Sequence, residues 1–162
     1  MKIAVVGIWH LGEVYAACLA KLGHGVVGIG ETDVVEKMQR GIPPLAEPGL
    51  AELLRSKKLS FSTKYEEVSD AELVWITFDT PVGKNDLADT APIFIALKKL
   101  LPYVRKDTVI AVSSQLPVGT SNEILKLLKK KSPSLGYAYI PENLRLGEAV
   151  RGCGRSSSPW SD

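Results

Sequence analysis

The chain has 162 residues, 45% of them hydrophobic, which is material for about one globular domain with a substantial core. Its 20 Lys and Arg against 18 Asp and Glu leave a formal net charge of +2, a balance that commits it to neither nucleic acid nor an anionic membrane surface. Its two cysteines, Cys18 and Cys153, form no C-x-x-C pair and no Cys/His cluster. No spaced metal site is therefore expected, and the compartment to expect is the reducing cytoplasm.

Residues 3–6 predict a first buried strand. It is reached directly from Met1-Lys2, so these residues do not read as a signal peptide. Residues 13–22 predict a helix, with Val14, Ala17, Cys18 and Leu22 at helical spacing. Its small Ala16, Ala17 and Ala20 permit close approach to a sheet, and Gly23 is its C-terminal cap. Residues 25–29 predict a second strand, and residues 34–39 a short helix stopped by Gly41. Ile42-Pro43-Pro44 is a stiff connector, after which Pro48 opens a helix with Leu50, Leu53 and Leu54 on one face. Residues 59–62 predict a third strand, and residues 64–69 a turn or short helix. Residues 73–78 are continuously apolar, as in a strand buried on both faces.

Thr80-Pro81-Val82-Gly83 breaks that run, and a loop extends to Asp89. Asp89 or Thr90 then caps a helix with Pro92 in its first turn and Ile93, Leu97, Leu100 and Leu101 on its apolar face. Residues 108–112 predict a fifth strand. Thr120-Ser121-Asn122-Glu123 has capping-box spacing before a helix over residues 124–131. That helix ends in Lys129-Lys130-Lys131, a basic run suited to the helix dipole and to solvent. Residues 137–140 predict a sixth strand. No apolar run reaches 18 residues, so no membrane span is expected.

Strands alternating with helices predict an α/β fold, a doubly wound, mainly parallel six-stranded sheet with helices on both faces. Right-handed crossovers give 3-2-1-4-5-6 as the expected strand order. Ligands of such sheets bind beyond the carboxyl ends of the strands, where the strand order reverses. That rule selects the loops 7–12, 30–33, 78–83 and 113–119, with 141–147 as a fifth.

Gly7-Ile8-Trp9-His10-Leu11-Gly12 stands in the strand–turn–helix setting of a dinucleotide-binding turn. Gly7 and Gly12 hold the first and third glycine positions, while Trp9 occupies the second. The helix amides would face a pyrophosphate. His10 either adds a hydrogen bond through its ring or is simply a polar turn residue. The Trp9 indole either stacks on ligand or braces the loop. An acid for the adenosine ribose is expected about 20 residues past the glycines. Gly30 stands at that place and Glu31 follows it. No Arg lies between residues 25 and 38, so no partner for a 2′-phosphate is evident and NAD is favoured over NADP. Asp79, Thr80, Pro81, Ser114 and Gln115 offer polar groups beside stiff prolines, suited to ribose or nicotinamide and equally to ordinary turns.

The ordered set of motifs resembles the UDP-glucose/GDP-mannose (nucleotide-sugar) dehydrogenase family in its N-terminal NAD-binding domain. The matching stretches are residues 1–7 and 17–24, Glu47-Pro48-Gly49-Leu50, Thr80-Pro81, Ala88-Asp89, Pro117-Val118-Gly119-Thr120 and Pro141-Glu142-Asn143-Leu144-Arg145-Leu146-Gly147. The resemblance implies a Rossmann domain over residues 1–150, and the Gly/Ser-rich, aperiodic stretch 151–162 after it reads as a disordered or aberrant tail. The central helix and nucleotide-sugar domain of the family are absent from the sequence. It implies oxidation of the C6 alcohol of a nucleotide sugar such as UDP-glucose to a carboxylate with two NAD, in the service of polysaccharide biosynthesis. The family's cysteine nucleophile has no counterpart here, so a truncated chain, inactive alone, is expected. Glu142 would contribute acid–base or water handling, and Glu142, Asn143, Leu144 and Arg145 would face substrate. Neither nucleic acid nor membrane is an expected partner, and the oligomeric state stays open. Trp9, Gly30, Val82, Gln115 and Leu146 depart from the family pattern. Those departures keep a second reading open, in which a degenerate Rossmann module has a non-catalytic regulatory or interaction role.

Overall fold

The computed structural model describes residues 1–80, 88–141 and 147–152. Its strands are β1 (Lys2–Val6), β2 (Gly25–Ile29), β3 (Leu59–Ser62), β4 (Leu73–Ile76), β5 (Val109–Val112) and β6 (Gly136–Tyr139). Its α-helices are α1 (His10–Lys21), α2 (Thr32–Gln39), α3 (Leu50–Leu53), α4 (Ala91–Leu100) and α5 (Thr120–Lys131). Short 3₁₀ turns occupy Tyr65–Asp70 and Val150–Gly152. All five strand pairings are parallel, in the order β3-β2-β1-β4-β5-β6. The expected architecture and strand order are therefore those observed.

The period of two in β1 divides the core. Ile3 and Val5 face α1, α2 and α3, whereas Ala4 and Val6 face α4 and α5. The small residues of α1 do the work expected of them: Ala16 and Ala17 are 0% exposed against the sheet. On the opposite face Ile93, Leu97 and Leu100 of α4 and Ile124 and Leu128 of α5 are each 0% exposed. This two-sided coverage is what an all-parallel sheet requires. Among the described residues no helix is long and apolar enough to cross a membrane.

Several boundaries move. α1 begins at His10 rather than at residue 13, because the Glu13 N–H already closes the first turn on the Trp9 carbonyl at 2.8 Å. The capping box over Thr120–Glu123 does not form. Gly119, in the left-handed region at φ 94°, is the N-cap, and its carbonyl takes the N–H groups of Asn122 and Glu123. Thr120 therefore lies inside the first turn. At α4, by contrast, Asp89 accepts the Ala91 N–H at 2.9 Å, one of the two expected caps. Cys18 packs against the apolar cluster beside α1 and is disulfide-bonded, whereas the sequence reading expects a reduced thiol. Cys153 and the rest of the predicted tail from residue 153 lie outside the described residues. Arg151 and Gly152 of that tail belong to the second 3₁₀ turn.

Candidate functional site: the switch-point cavity

The turn after β1 is tied down from three sides. Gly7 adopts φ +96°, and its N–H donates to the Ile29 carbonyl at 2.9 Å. The buried Thr77 hydroxyl, just past β4, donates to the Gly7 carbonyl at 2.9 Å and lies 3.2 Å from that of Val6. Gly12 packs so closely that a Cβ there would sit 2.5 Å from the Gly7 oxygen and 2.7 Å from Thr77 Oγ1. Gly12 is thus a packing glycine and Gly7 a conformational one. Trp9, between them, has extended backbone at φ −148° and needs no glycine. Its indole is 44% exposed, so it is no buried brace. Ile8 and Leu11 bury their side chains at 4% and 2% exposure, and the Ile8 N–H donates to the Ile29 carbonyl at 3.3 Å.

Beside this turn lies a cavity of about 570 Å³. Gly7, Ile8 and Trp9 form one wall, and Gly30, Glu31 and Thr32 a second. Thr63, Tyr65, Phe78 and Asp79 close the far side, with Pro92 and Lys99 of α4 below. Gly30 has a steric reason, since a Cβ there would lie 3.2 Å from the Ile8 Cβ. The neighbouring Gly28 would meet Phe61 at 2.7 Å and the Ile8 tip at 2.9 Å. A side chain at Gly28 or Gly30 would crowd Ile8, and the first acid past β2 is Glu31. Glu31 is the N-cap of α2 but makes no capping hydrogen bond, so its exposed carboxylate is free to meet a ligand. Burial raises the Tyr65 phenol above its usual range, and the charge of Glu31, which lines the same cavity, adds to this. The Lys99 ammonium stands 5.4 Å over the Tyr65 ring. Neither Tyr65 nor Lys99 is evident from the sequence, because each comes from an element distant in the chain. A second hollow, of about 490 Å³, opens between Lys2, Gly25, Lys58 and Asp70. It lies at the amino ends of the strands, away from the turn and the switch in strand order.

The remaining predicted contacts act mainly as supports. Ser114 Oγ donates to the Phe78 carbonyl at 2.6 Å, and Thr80 Oγ1 to the Gln115 carbonyl at 3.0 Å. These bonds stitch the third loop to the fourth. Behind them Trp75 stacks on Tyr15, with centroids 4.3 Å apart, and its indole N–H donates to Ser113 Oγ at 2.9 Å. Gly7, Ile8, Trp9, Glu31 and Asp79 thus meet in one cavity, whereas Thr80, Ser114 and Gln115 lie in the adjoining loops. Pro81, Glu142, Asn143, Leu144 and Arg145 lie outside the described residues.

A group of buried ionisable residues adjoins the turn. Glu47 accepts the N–H of Gly147 and of Ala149, each at 2.8 Å. Burial opposes its ionisation, but these donors, the Val150 N–H and nearby His10 outweigh burial and hold its carboxyl below the usual range. Glu13 is 0% exposed and neither carboxyl oxygen has a hydrogen-bond partner. Burial pushes its pKa up to about 8. The Leu45 amide, near but not in hydrogen-bond geometry, opposes that shift, and the Glu47 charge adds to it. At neutral pH Glu13 is a neutral acid beside a carboxylate.

A parallel sheet whose strand order reverses beside a glycine turn is the architecture of dinucleotide-binding domains, and this chain is of that class. Its relatives narrow the class. The chain is 34% identical over 159 residues to the UDP-glucose 6-dehydrogenase YwqF of Bacillus subtilis, an alignment covering 93% of this chain and 36% of that protein. A UDP-glucose 6-dehydrogenase of Pseudomonas aeruginosa is 30% identical over 162 residues, again with 36% of its length covered. A ternary complex of GDP-mannose dehydrogenase from Pseudomonas aeruginosa superimposes with a TM-score of 0.86 at 28% identity, covering 94% of this chain and 38% of that one. The NAD binding domain of the UDP-glucose/GDP-mannose dehydrogenase family matches residues 1–156, and the chain belongs to that family. It spans about a third of the length of these relatives. Its cofactor is NAD. The site fits that group, with a glycine turn whose carbonyl is fixed from behind and a cavity bordered by an uncommitted acid.

Proposed function

We propose that NAD lies across this cavity, with its pyrophosphate at the amides of the Gly7–Gly12 turn and its adenosine ribose at Glu31. The chain would be the cofactor-binding part of a nucleotide-sugar dehydrogenase of the UDP-glucose 6-dehydrogenase type. The reaction proposed for the whole protein converts the C6 alcohol of the sugar to a carboxylate with two NAD. Glu142 would handle a proton or water near the reacting carbon, and Asn143, Leu144 and Arg145 would face substrate. The observation that carries this reading is a cavity at the strand-order switch that joins the turn to Glu31.

Titration of NAD against the purified chain tests it. Saturable binding is expected, and an affinity no better than that of an unrelated protein would overturn the reading.

Glu31→Gln is the sharper probe. Hydrogen bonds to a charged partner contribute about 1.5–3 kcal/mol, so NAD affinity should fall roughly 10- to 100-fold. The melting temperature should hardly move, because Glu31 is exposed and makes no capping bond. Unchanged NAD affinity would remove Glu31 from the ribose site.

A further inference from the structure

Opposite charges face the switch-point cavity from elements far apart in the chain. Glu31 stands at the N-cap of α2, exposed and without a capping bond. Lys99, in the last turn of α4, lines the same cavity. Its ammonium is held 5.4 Å over the Tyr65 ring, and Tyr65 packs against the apolar cluster that contains Ile93, Leu97 and Leu100 of α4. Among the described residues neither Glu31 nor Lys99 forms an ion pair, so both charges remain uncommitted. Lys98, next to Lys99 and equally exposed, does not line the cavity.

The segment around the end of β2 carries no arginine, so from the sequence a phosphate on the ribose 2′-oxygen has no partner there. The fold brings a cation from α4 instead. We infer that Lys99 is a second determinant of cofactor choice: Glu31 accepts hydrogen bonds from the ribose hydroxyls of NAD, while Lys99 attracts the 2′-phosphate that distinguishes NADP. This inference rests on the reading that the adenosine ribose lies at Glu31.

The balance of charge sets the direction of the preference. Glu31 and Asp79 both line the cavity, and Lys99 is the one cation among its described lining residues. A phosphate monoester carries a charge of about −1.5 to −2 at pH 7, so the two acids repel it and NAD is preferred. Lys99 offsets part of that repulsion, and the discrimination against NADP is smaller than the acids alone would impose. An exposed ammonium–phosphate pair contributes about three- to tenfold in affinity and is screened by salt.

The test is calorimetric titration of the full chain with NAD, NADP and 2′-AMP, for the wild type, Lys99→Met, Glu31→Gln and the double variant. Lys99→Met should weaken NADP about three- to tenfold and leave NAD within about twofold. Glu31→Gln should weaken NAD and tighten NADP, and adding Lys99→Met should remove about three- to tenfold of that NADP affinity. 2′-AMP, which has neither pyrophosphate nor nicotinamide, should follow NADP through the four chains. The effect of Lys99 should vanish in about 1 M salt, where the screening length is about 3 Å. Lys98→Met, which removes the same charge from the same turn, should leave the ratio of NAD to NADP affinity unchanged. Melting temperatures should hardly move, since Lys98 and Lys99 are exposed. An affinity ratio untouched by Lys99→Met would make Lys99 an ordinary surface cation and overturn the inference. Equal losses for NAD and NADP would place Lys99 at the pyrophosphate and overturn it too, as would NADP undetectable in both the wild type and Glu31→Gln. Failure of the wild type to bind NAD would overturn the cofactor reading, and this inference with it.

Discussion

Glu13→Gln is expected to stabilise the chain, by an amount that grows as pH rises. Both Glu13 carboxyl oxygens are buried without partners, and its pKa is pushed up from 4.5 to about 8. The folded state therefore holds a proton on Glu13 over a range where the unfolded state has released it. Stability is highest at or below the unfolded value, falls between pH 4.5 and about 8, and levels off above. Each pH unit in that window costs about 1.4 kcal/mol, so the full loss approaches about 5 kcal/mol. Glutamine copies the shape of the neutral acid and cannot ionise. Its buried amide lacks partners just as the neutral acid does, so the substitution adds little cost of that kind. The net gain should be about 4 kcal/mol at pH 8 and about 1 kcal/mol or less at pH 5. The acids with lowered pKa, Glu47, Glu66 and Asp70, act in a separate window. Their stabilisation is present above the ordinary carboxylate range and is lost as pH falls below it. Urea unfolding at pH 5, 6, 7 and 8 separates the two. A wild type equally stable at pH 5 and pH 8, with Glu13→Gln running parallel to it, would show that Glu13 carries no trapped proton.

The sheet was legible because its signals are local. β2 lies between the Gly23 cap and Gly30, and β1 follows Met1 directly, so both strands could be placed from neighbouring residues alone. The strand order then followed from parallel pairing and right-handed crossovers rather than from any residue. The start of α1 was misplaced because Trp9-His10 carries no helical signature, and what sets it is the backbone of Gly7 and Trp9. The capping box failed for a related reason. Thr120 has the right chemistry, but Gly119 in the left-handed region already performs the cap.

Non-local contacts were beyond reach. Glu47 enters the sequence only as part of the Glu47–Leu50 stretch, and its partners, 100 and 102 positions further on, are seen only once the chain is folded. Ser114 and Thr80 were found as polar groups, but a sequence does not say which carbonyl takes each hydroxyl. Gly30 looked like a missing acid. A Cβ at Gly30 would come within 3.2 Å of the Ile8 Cβ, and Glu31 stands in the exposed position next to it.

Gly12→Ala should damage both the fold and cofactor binding. The added methyl would stand 2.5 Å from the Gly7 carbonyl oxygen and 2.7 Å from Thr77 Oγ1. Neither neighbour yields freely. The Gly7 oxygen belongs to a backbone held by the Ile29 carbonyl through the Gly7 N–H, and Thr77 is hydrogen-bonded to that same oxygen. α1 must therefore lift off β1 or the turn must open. Overpacking of this kind costs about 1–3 kcal/mol, and a backbone neighbour puts the expectation near the upper end. The displaced amides belong to the turn proposed above to hold the pyrophosphate, so on that reading NAD affinity should fall at least tenfold even where the variant is fully folded. Two controls isolate the cause. Gly41→Ala places a side chain at positive φ, +74°, which Gly12→Ala does not, but meets nothing within 4 Å. It should cost roughly 1 kcal/mol and leave NAD binding unchanged. Thr77→Ala in the Gly12→Ala background removes one of the two clashes, so stability should recover in part while affinity stays low, because the Gly7 carbonyl still obstructs. Thermal unfolding and NAD titration of all three variants read these outcomes. A Gly12→Ala chain with wild-type affinity would show that close packing at this turn does not position the cofactor amides.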